Sequence, residues 1–233
     1  MSELKIGRMV LGMCQTNCYF VYRTGKPEAL VIDPADQGEK IADALERNGF
    51  TVAGVLLTHG HFDHIWGCEA LMEAVNARKN VASGEEEKEA AKPLTAEPVK
   101  VYAGEAEREV LMDARKNVSQ SMHRPCTLEA DVYLKDGEEL SIAGMTCKVL
   151  ATPGHTAGGT CYYFEEGGFV VSGDTLFAES VGRTDFPTGS MGMLVRSIKE
   201  KLFILPEETL VYPGHGDSTT IGHEKKYNPF CAE

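Results

Sequence analysis

LLTHGHFDHIWG, residues 56–67, places three histidines and an aspartate within six positions. The segment follows TVAGVLL (51–57), whose apolar and β-branched residues predict a buried strand. From Ile65 to about Ala77 the apolar spacing is typical of an amphipathic helix. The loop between strand and helix carries His59, His61, Asp63 and His64. Because loops on a rigid scaffold commonly hold binding and catalytic groups, this stretch predicts a functional loop.

The spacing of these four side chains predicts metal coordination. Side chains two positions apart in an extended segment point the same way, so His59 and His61 reach one ion while Gly60 lets the backbone bend. Asp63 and His64 then turn towards a neighbouring position. Imidazoles with a carboxylate suit zinc, iron or manganese better than calcium or magnesium. Surface or helix-capping roles are the ordinary alternative for an isolated His-x-His pair, but four ligand-type residues so close together favour metal.

Three later turns carry further ligand-type residues, each after a predicted strand. The turns are TPGHT (152–156), SGDTLF (172–177) and VYPGHG (211–216), which contain His155, Asp174 and His215. Five of the seven histidines therefore stand next to Gly or Asp in strand-ending turns. His123 and His223 lack this setting, and we predict that they are not ligands.

The composition limits the class of function. A formal net charge of −12, from 35 acidic and 23 basic residues, predicts a surface that repels polyanions, so no nucleic-acid partner is expected. Seven cysteines without a C-x-x-C pair do not resemble a disulfide framework or a zinc knuckle. The N-terminus lacks the features of a signal peptide, and no run approaches the ~18 apolar residues of a membrane span. We therefore predict a cytoplasmic protein with a small-molecule substrate and no membrane partner; the oligomeric state is left open.

The remaining pattern predicts one domain over residues 1–233, because no Pro/Ser/Gly linker divides the chain. Strands interspersed with helices indicate a layered α/β protein with sheets inside and helices outside. An acidic insert at about 79–98 is predicted to be a solvated helix and loop that decorates the surface. Further helices are predicted at EAEREVLMDAR (105–115) and GMLVRSIKEKLFIL (192–205).

The first elements of the chain are predicted to be a hairpin followed by a helix. NCYFVYR (17–23) and EALVIDP (28–34) are aromatic and β-branched, with a turn between them. The following helix is expected to begin with a capping box of Asp36 and Glu39 and to end at Gly49.

The ordered motifs resemble those of the metallo-β-lactamase-fold hydrolases, and within them the hydroxyacylglutathione hydrolase (glyoxalase II) group. THGHFDH resembles the family's T-H-x-H-x-D-H signature, and TPGHT, SGDTLF, VGRTDFP (181–187) and VYPGHG are similar to its later motifs. TTIGHEKKYNPF (219–230) is similar to the closing segment of short, single-domain members. The resemblance implies an α/β fold of four layers, an αβ/βα sandwich. It also places Asp33, in VIDP, beside the site as a supporting residue.

The resemblance further implies a dinuclear site. One ion would be held by His59, His61 and His155, the second by Asp63, His64 and His215, with Asp174 bridging both. The two ions are expected to be Zn²⁺, with iron or manganese as alternatives. Asp63 and Asp174 would orient the metal-activated water that attacks the carbonyl of a small acyl thioester.

The resemblance leaves alternatives open on the substrate. Asp174, in place of a Cys, is what the thioester hydrolases show, whereas antibiotic-degrading relatives commonly have a thiol. The chain ends soon after His215, without the further glutathione-binding region of glyoxalase II, so we expect weak preference for the thiol half. Lys225, Lys226 and Tyr227 are predicted to form a solvated terminal turn rather than to bind glutathione.

A second class of enzyme shares one motif. GRTDF (182–186) also resembles the persulfide dioxygenases of the superfamily, which bind a single iron through two histidines and the aspartate. A metal-binding protein without catalysis is a third alternative. Within this segment, Arg183 and Asp185 are predicted to brace the loop near the site, since an Arg suits bidentate contact with a carboxylate.

Overall fold

The computed structural model describes residues 2–82 and 98–232 and contains two six-stranded sheets. The strands of the first sheet lie in chain order: β1 (Leu4–Leu11), β2 (Thr16–Arg23), β3 (Glu28–Ile32), β4 (Thr51–Leu56), β5 (Val101–Gly104) and β6 (Val132–Leu134). The first three strands are antiparallel, and β3 to β6 are parallel neighbours. The predicted hairpin is confirmed as β2 and β3.

The second sheet is formed by the C-terminal half of the chain. Its strands are β7 (Glu139–Ile142), β8 (Met145–Ala151), β9 (Thr160–Phe164), β10 (Phe169–Gly173), β13 (Leu210–Pro213) and β14 (Thr219–Thr220), and they lie in the order β14-β13-β10-β9-β8-β7. β11 (Leu176–Phe177) and β12 (Ser180–Val181) form a separate small hairpin. β13 pairs parallel with β10, so the C-terminal ends of these two strands lie at the same edge of the sheet.

Helices cover the outer faces of the two sheets. They are α1 (Gly38–Arg47), α2 (Phe62–Ile65), α3 (Cys68–Ala82), α4 (Arg108–Leu111), α5 (Met191–Ser197) and α6 (Ile221–Tyr227). A 3₁₀ turn at Glu105–Glu107 precedes α4, and a π-helical turn at Ile198–Leu202 extends α5.

The cores between these layers explain the apolar strands. In β3, Leu30 and Ile32 enter the core between the sheets, whereas Ala29 and Val31 enter the core under α1 and α3. Alternate side chains of a strand point to opposite faces, so a strand covered on both sides is apolar throughout. A third core, which includes Leu194 of α5, covers the outer face of the second sheet. The order helix, sheet, sheet, helix confirms the predicted α/β sandwich of four layers.

The start of α1 corrects one prediction. Asp36 does not cap the helix with Glu39; its Oδ1 accepts a hydrogen bond from the neighbouring Gln37 N–H at 2.8 Å. The N-cap is Gln37, which has a left-handed φ of 58° and makes no side-chain cap bond. Tertiary contact sets this start, because a Cβ on Gly38 would lie 2.1 Å from the carbonyl oxygen of Gly67. The predicted end at Gly49 is confirmed by its φ of 78°.

The helix predicted at 192–205 is confirmed as α5 and its π-helical extension, whereas two other predicted helices are shorter or divided. The helix expected from Ile65 to about Ala77 is instead two helices, α2 and α3, separated at Gly67, whose N–H donates to Ala35 O at 3.0 Å. The predicted helix at 105–115 contains only the 3₁₀ turn and α4. These breaks arise from contacts with distant segments, so the local apolar spacing does not reveal them.

Two further predictions concern the acidic insert and the absence of a membrane span. The acidic insert at about 79–98 lies mainly in residues 83–97, outside the described residues. Within residues 2–82 and 98–232, no helix combines the length and apolar character needed to cross a membrane.

Candidate metal centre

All the predicted ligand residues converge where strands of both sheets end. The loop after β4 carries His59 and His61, and α2 carries Asp63 and His64. The remaining three follow strands of the second sheet: His155 after β8, Asp174 after β10 and His215 after β13. The two sheets thus bring together residues that are up to 156 positions apart in the chain (59 to 215).

The ligand atoms form three overlapping groups, within each of which they lie within 4.8 Å of one another. The groups are His59, His61 and His155; His59, His64 and Asp174; and Asp63, His64 and His215. Two of these sets have the membership expected for two metal positions. We call His59, His61 and His155 the first group, and Asp63, His64 and His215 the second group.

Asp174 lies between these two groups. Its Oδ2 is 3.6 Å from Nε2 of His155 in the first group and 3.5 Å from Nε2 of His215 in the second. Its Oδ1 is 3.4 Å from Nε2 of His64. This position is the one that a carboxylate shared by two ions requires, although its role as a ligand stays a prediction.

Unpartnered atoms at the centre show that its residues fit a metal. Among the described residues, four buried side-chain atoms lack a hydrogen-bond partner: His59 Nε2, His61 Nε2, His64 Nε2 and Asp174 Oδ1. All four belong to predicted ligands. A buried polar atom without a partner costs about 1–3 kcal/mol, so native proteins rarely retain one without a reason. The set of imidazoles and carboxylates suits a divalent transition metal.

Other hydrogen bonds aim the imidazoles inward. Nδ1 of His64 lies 2.9 Å from Oδ2 of Asp33, and Nδ1 of His155 lies 2.7 Å from the carbonyl oxygen of Arg183. Nδ1 of His215 lies 3.2 Å from the carbonyl oxygen of Cys14. Because an acceptor at Nδ1 fixes the proton there, the Nε2 lone pair of each ring faces the centre.

Asp33 supports the centre as the resemblance implied. Besides His64, its carboxylate accepts hydrogen bonds from the N–H of Thr58 at 2.7 Å and from Oγ1 of Thr58 at 2.6 Å. The backbone of Asp33 has a φ of 52°, a left-handed conformation that costs a non-glycine residue energy. Asp33 therefore connects the start of the loop that carries His59 and His61 to a histidine of the second group.

The two groups differ in their electrostatics. Burial lowers the pKa of His59 well below its usual value and that of His61 to about 3. Burial also acts against protonation of His64, but Asp63, Asp33 and Asp174 outweigh it and raise its pKa well above the usual value. For His215, proximity to Asp174 and Asp63 likewise outweighs burial and raises the pKa to about 9. His59 and His61 of the first group are therefore uncharged near neutral pH, whereas His64 and His215 of the second group lie beside carboxylates.

The loop that contains Arg183 contacts the centre through its backbone and an aromatic ring. The Arg183 side chain makes two hydrogen bonds with Asp185, at 2.7 and 2.6 Å, and stacks 4.0 Å from the centroid of the Phe186 ring. The Phe186 ring lies 5.3 Å from that of His61. The predicted contact of Arg183 with a carboxylate is confirmed, and it is local to this loop.

The remaining histidines and the C-terminal residues lie outside the three groups. His223 pairs with Glu179 at 3.0 Å on the surface, and His123 is exposed. Lys225 lies 3.8 Å from Glu207, and Lys226 contacts the exposed ring of Tyr227.

One buried residue beside the centre is not identified by the sequence analysis. Glu107 is completely buried, and its carboxylate accepts hydrogen bonds from Gly60, Thr156 and Gly158. Burial raises its pKa to about 7, against the opposing effect of these three bonds. The sequence EAEREVL contains three glutamates in a short charged run, and no local signal distinguishes the buried one.

Comparison with known proteins agrees with this geometry. The profile of the family described as "Metallo-beta-lactamase superfamily" matches residues 11–215. "Probable metallo-hydrolase YqgX" of Bacillus subtilis (strain 168) is 34% identical over 229 residues, 97% of each chain. "Hydroxyacylglutathione hydrolase GloC" of Haemophilus influenzae is 30% identical over 222 residues, covering 93% of this chain and 92% of the relative.

Solved structures show the same fold along nearly the whole chain. The BLEG-1 B3 metallo-beta-lactamase superposes with a TM-score of 0.84 at 34% identity, covering 98% of this chain and 100% of that one. TTHA1623 in a di-iron-bound form has a TM-score of 0.77 at 32% identity, covering 96% and 99% of the two chains. ETHE1 from Myxococcus xanthus has a TM-score of 0.72 at 27% identity, covering 97% and 83%.

Proposed function

The chain belongs to the metallo-beta-lactamase superfamily, and from this premise we propose that it is a metal-dependent hydrolase that cleaves a small acyl thioester of the hydroxyacylglutathione type. The observation that carries the proposal is the convergence of unpartnered buried atoms of His59, His64 and Asp174 on one centre. The 30% identity to a hydroxyacylglutathione hydrolase over 93% of the chain supports the substrate class.

The residues of the chain have distinct parts in this reaction. The first and second groups would each hold one ion, with Asp174 between them. Divalent ions bound there would lower the pKa of a water molecule towards about 7 and would stabilise negative charge on a carbonyl oxygen. Asp63 and Asp174 offer carboxylate oxygens that accept hydrogen bonds, so they would orient the attacking water. Water adds to the acyl carbon, the C–S bond breaks, and the products are a carboxylate, a thiol and a proton.

The surroundings of the centre favour a small uncharged acyl group. The ring of Phe186 lies 5.3 Å from His61, and the ring of Phe177 lies 6.2 Å from His215. These half-buried rings flank opposite ends of the centre and offer apolar contacts. The net charge of −12 disfavours a polyanionic substrate, so we propose a small molecule rather than a nucleic acid.

A substrate panel tests the proposal. Metal-stripped protein is reloaded with Zn²⁺ and given thioesters of glutathione, of coenzyme A and of a simple alkyl thiol, beside a β-lactam. We expect thioester hydrolysis that a chelator abolishes, with little preference among the thiols, and near-complete loss in Asp63→Ala through loss of one ion. β-Lactam cleavage without thioester cleavage would contradict the proposed substrate.

The persulfide dioxygenase alternative rests on the resemblance of GRTDF (182–186), a segment that lies at the centre because the carbonyl oxygen of Arg183 accepts a hydrogen bond from His155. One similar structure is described as di-iron-bound, which makes iron a competing ion. The metal content of protein purified without added metal, together with oxygen consumption in the presence of glutathione persulfide, distinguishes the two enzymes. Oxygen uptake by iron-loaded protein that cleaves no thioester would replace the hydrolase with the dioxygenase.

A further inference from the structure

Glu107 joins two loops that are far apart in the chain. Its Oε1 accepts a hydrogen bond from the N–H of Gly60 at 2.7 Å. Its Oε2 accepts hydrogen bonds from Oγ1 of Thr156 at 2.8 Å and from the N–H of Gly158 at 2.9 Å. Gly60 separates His59 from His61, and Thr156 directly follows His155. A single carboxylate therefore contacts both loops that supply the first group.

The chemistry of this contact requires a carboxylate. All three partners are donors, and an ionised carboxylate only accepts hydrogen bonds. A glutamine amide would offer one oxygen and one NH₂ group, so in either orientation a donor would face a donor. Leaving such a buried donor without an acceptor carries a desolvation cost, which the surrounding loops would relieve by moving.

The backbone around Glu107 is closely packed. A Cβ on Gly158 would lie 2.0 Å from the backbone nitrogen of Glu107, so the turn before α4 packs directly on the loop after His155. Glu107 itself has no exposed surface. Solvent therefore has no direct access to the connection between the two loops.

We propose that Glu107 is a positioning residue that sets the distance between His155 and the pair His59 and His61, and hence the geometry and affinity of the first metal position. This inference rests on the metal centre of the proposed function but not on the identity of the substrate. Supporting residues of this kind typically change metal affinity by 10–100-fold when they are replaced.

A matched control exists in Glu224 of α6. Glu224 is also completely buried, and its carboxylate accepts hydrogen bonds from the N–H of Glu179 at 2.9 Å, from Oγ1 of Thr219 at 2.6 Å and from Nδ2 of Asn228 at 2.8 Å. None of these partners is a predicted ligand. Replacement of Glu224 therefore measures the cost of disrupting a buried carboxylate network away from the first group.

The experiment compares Glu107→Gln and Glu224→Gln with the wild-type chain. We measure the thermal stability of the metal-free proteins, the affinity for Co²⁺ by chelator competition, and the visible absorption of the Co²⁺-loaded proteins. Both variants should lower the melting temperature. Only Glu107→Gln should weaken one Co²⁺ binding step at least tenfold and alter the spectrum, whereas Glu224→Gln should stay within twofold of wild type.

A Glu107→Gln protein that loses stability but keeps wild-type Co²⁺ affinity and spectrum would overturn the inference. If Glu107→Gln does not fold, Thr156→Val removes one donor alone; a severalfold loss of affinity supports the inference, and an unchanged affinity overturns it. Because the readout is metal binding, a wild-type chain that binds Co²⁺ but cleaves no thioester would overturn the proposed substrate and leave the role of Glu107 standing.

Discussion

The first and second groups of the metal centre are built differently. His59, His61 and His155 are each 2–3% exposed. Nδ1 of His59 lies 3.1 Å from Oγ1 of Thr58, Nδ1 of His155 lies 2.7 Å from the carbonyl oxygen of Arg183, and the buried Glu107 connects the two loops that carry the three rings. The second group is more open, since the side chains of Asp63 and His215 are 14% and 29% exposed. The difference indicates a closed position lined by histidines beside a more open position that contains carboxylates. We expect the first position to bind its ion more tightly and the second position to be more accessible to solvent.

The largest effect should come from the residue that both groups share. Asp174→Ala removes the carboxylate between His155, His64 and His215, so both positions should lose affinity together. We expect activity to fall by roughly 10³-fold, the scale of losing a preorganised electrostatic group. Metal content and turnover are measured beside Glu129→Ala, which removes an exposed partner of Arg108. Loss of only one ion would show that Asp174 does not serve both groups.

Asp33→Asn should affect the second group more than the first. The asparagine oxygen can still accept from the N–H of Thr58, but its NH₂ group would face Nδ1–H of His64. The ring of His64 would lose its fixed orientation, and the second position should lose about 10–100-fold in affinity. Stepwise Co²⁺ titration measures both binding constants. An equal loss at both binding steps would show that Asp33 does not act mainly through His64.

The pH dependence of metal binding should separate the groups further. The pKa of His215 is raised to about 9 by Asp174 and Asp63 despite burial, whereas burial lowers the pKa of His61 to about 3. A histidine must lose its proton from the ligating nitrogen to bind metal. Affinity at the second position should therefore rise as the pH increases from about 6 to 9, and affinity at the first should rise less, because His59 and His61 carry no proton to lose in this range. Chelator competition across this pH range measures both affinities. An equal pH dependence at the two positions would contradict this prediction.

The smallest effect is expected from Arg183→Ala. The side chain lost is mostly exposed and contacts Asp185 and Phe186, whereas the carbonyl oxygen that accepts from His155 belongs to the backbone and remains. Exposed ion pairs contribute little, so the melting temperature should fall by no more than about 4 °C. KM and metal affinity should change less than twofold. A large rise in KM with unchanged stability would instead assign Arg183 to substrate binding.

The residues that converge at the candidate centre could be predicted from the sequence because metal ligation needs particular side chains; their ligation stays a prediction. Histidines and aspartates after strands are visible as residue types, and the same loops emerge from both sheets in the structure. The division into two groups was supplied by the resemblance, and the structure brings the same residues together. The lowered pKa of His61 depends on its burial, and the raised pKa of His215 depends on the proximity of two carboxylates. Neither burial nor proximity can be seen in the sequence.

The strands and the layered architecture follow from local pattern, because apolar alternation and β-branched residues report which faces are covered. The break at Gly67, the start of α1 at Gly38 and the buried position of Glu107 do not. Each depends on close contact between segments that the chain brings together only on folding. A glutamate in a charged run is expected to be a solvated side chain. Glu107 is buried instead because three hydrogen-bond donors from two distant loops surround its carboxylate.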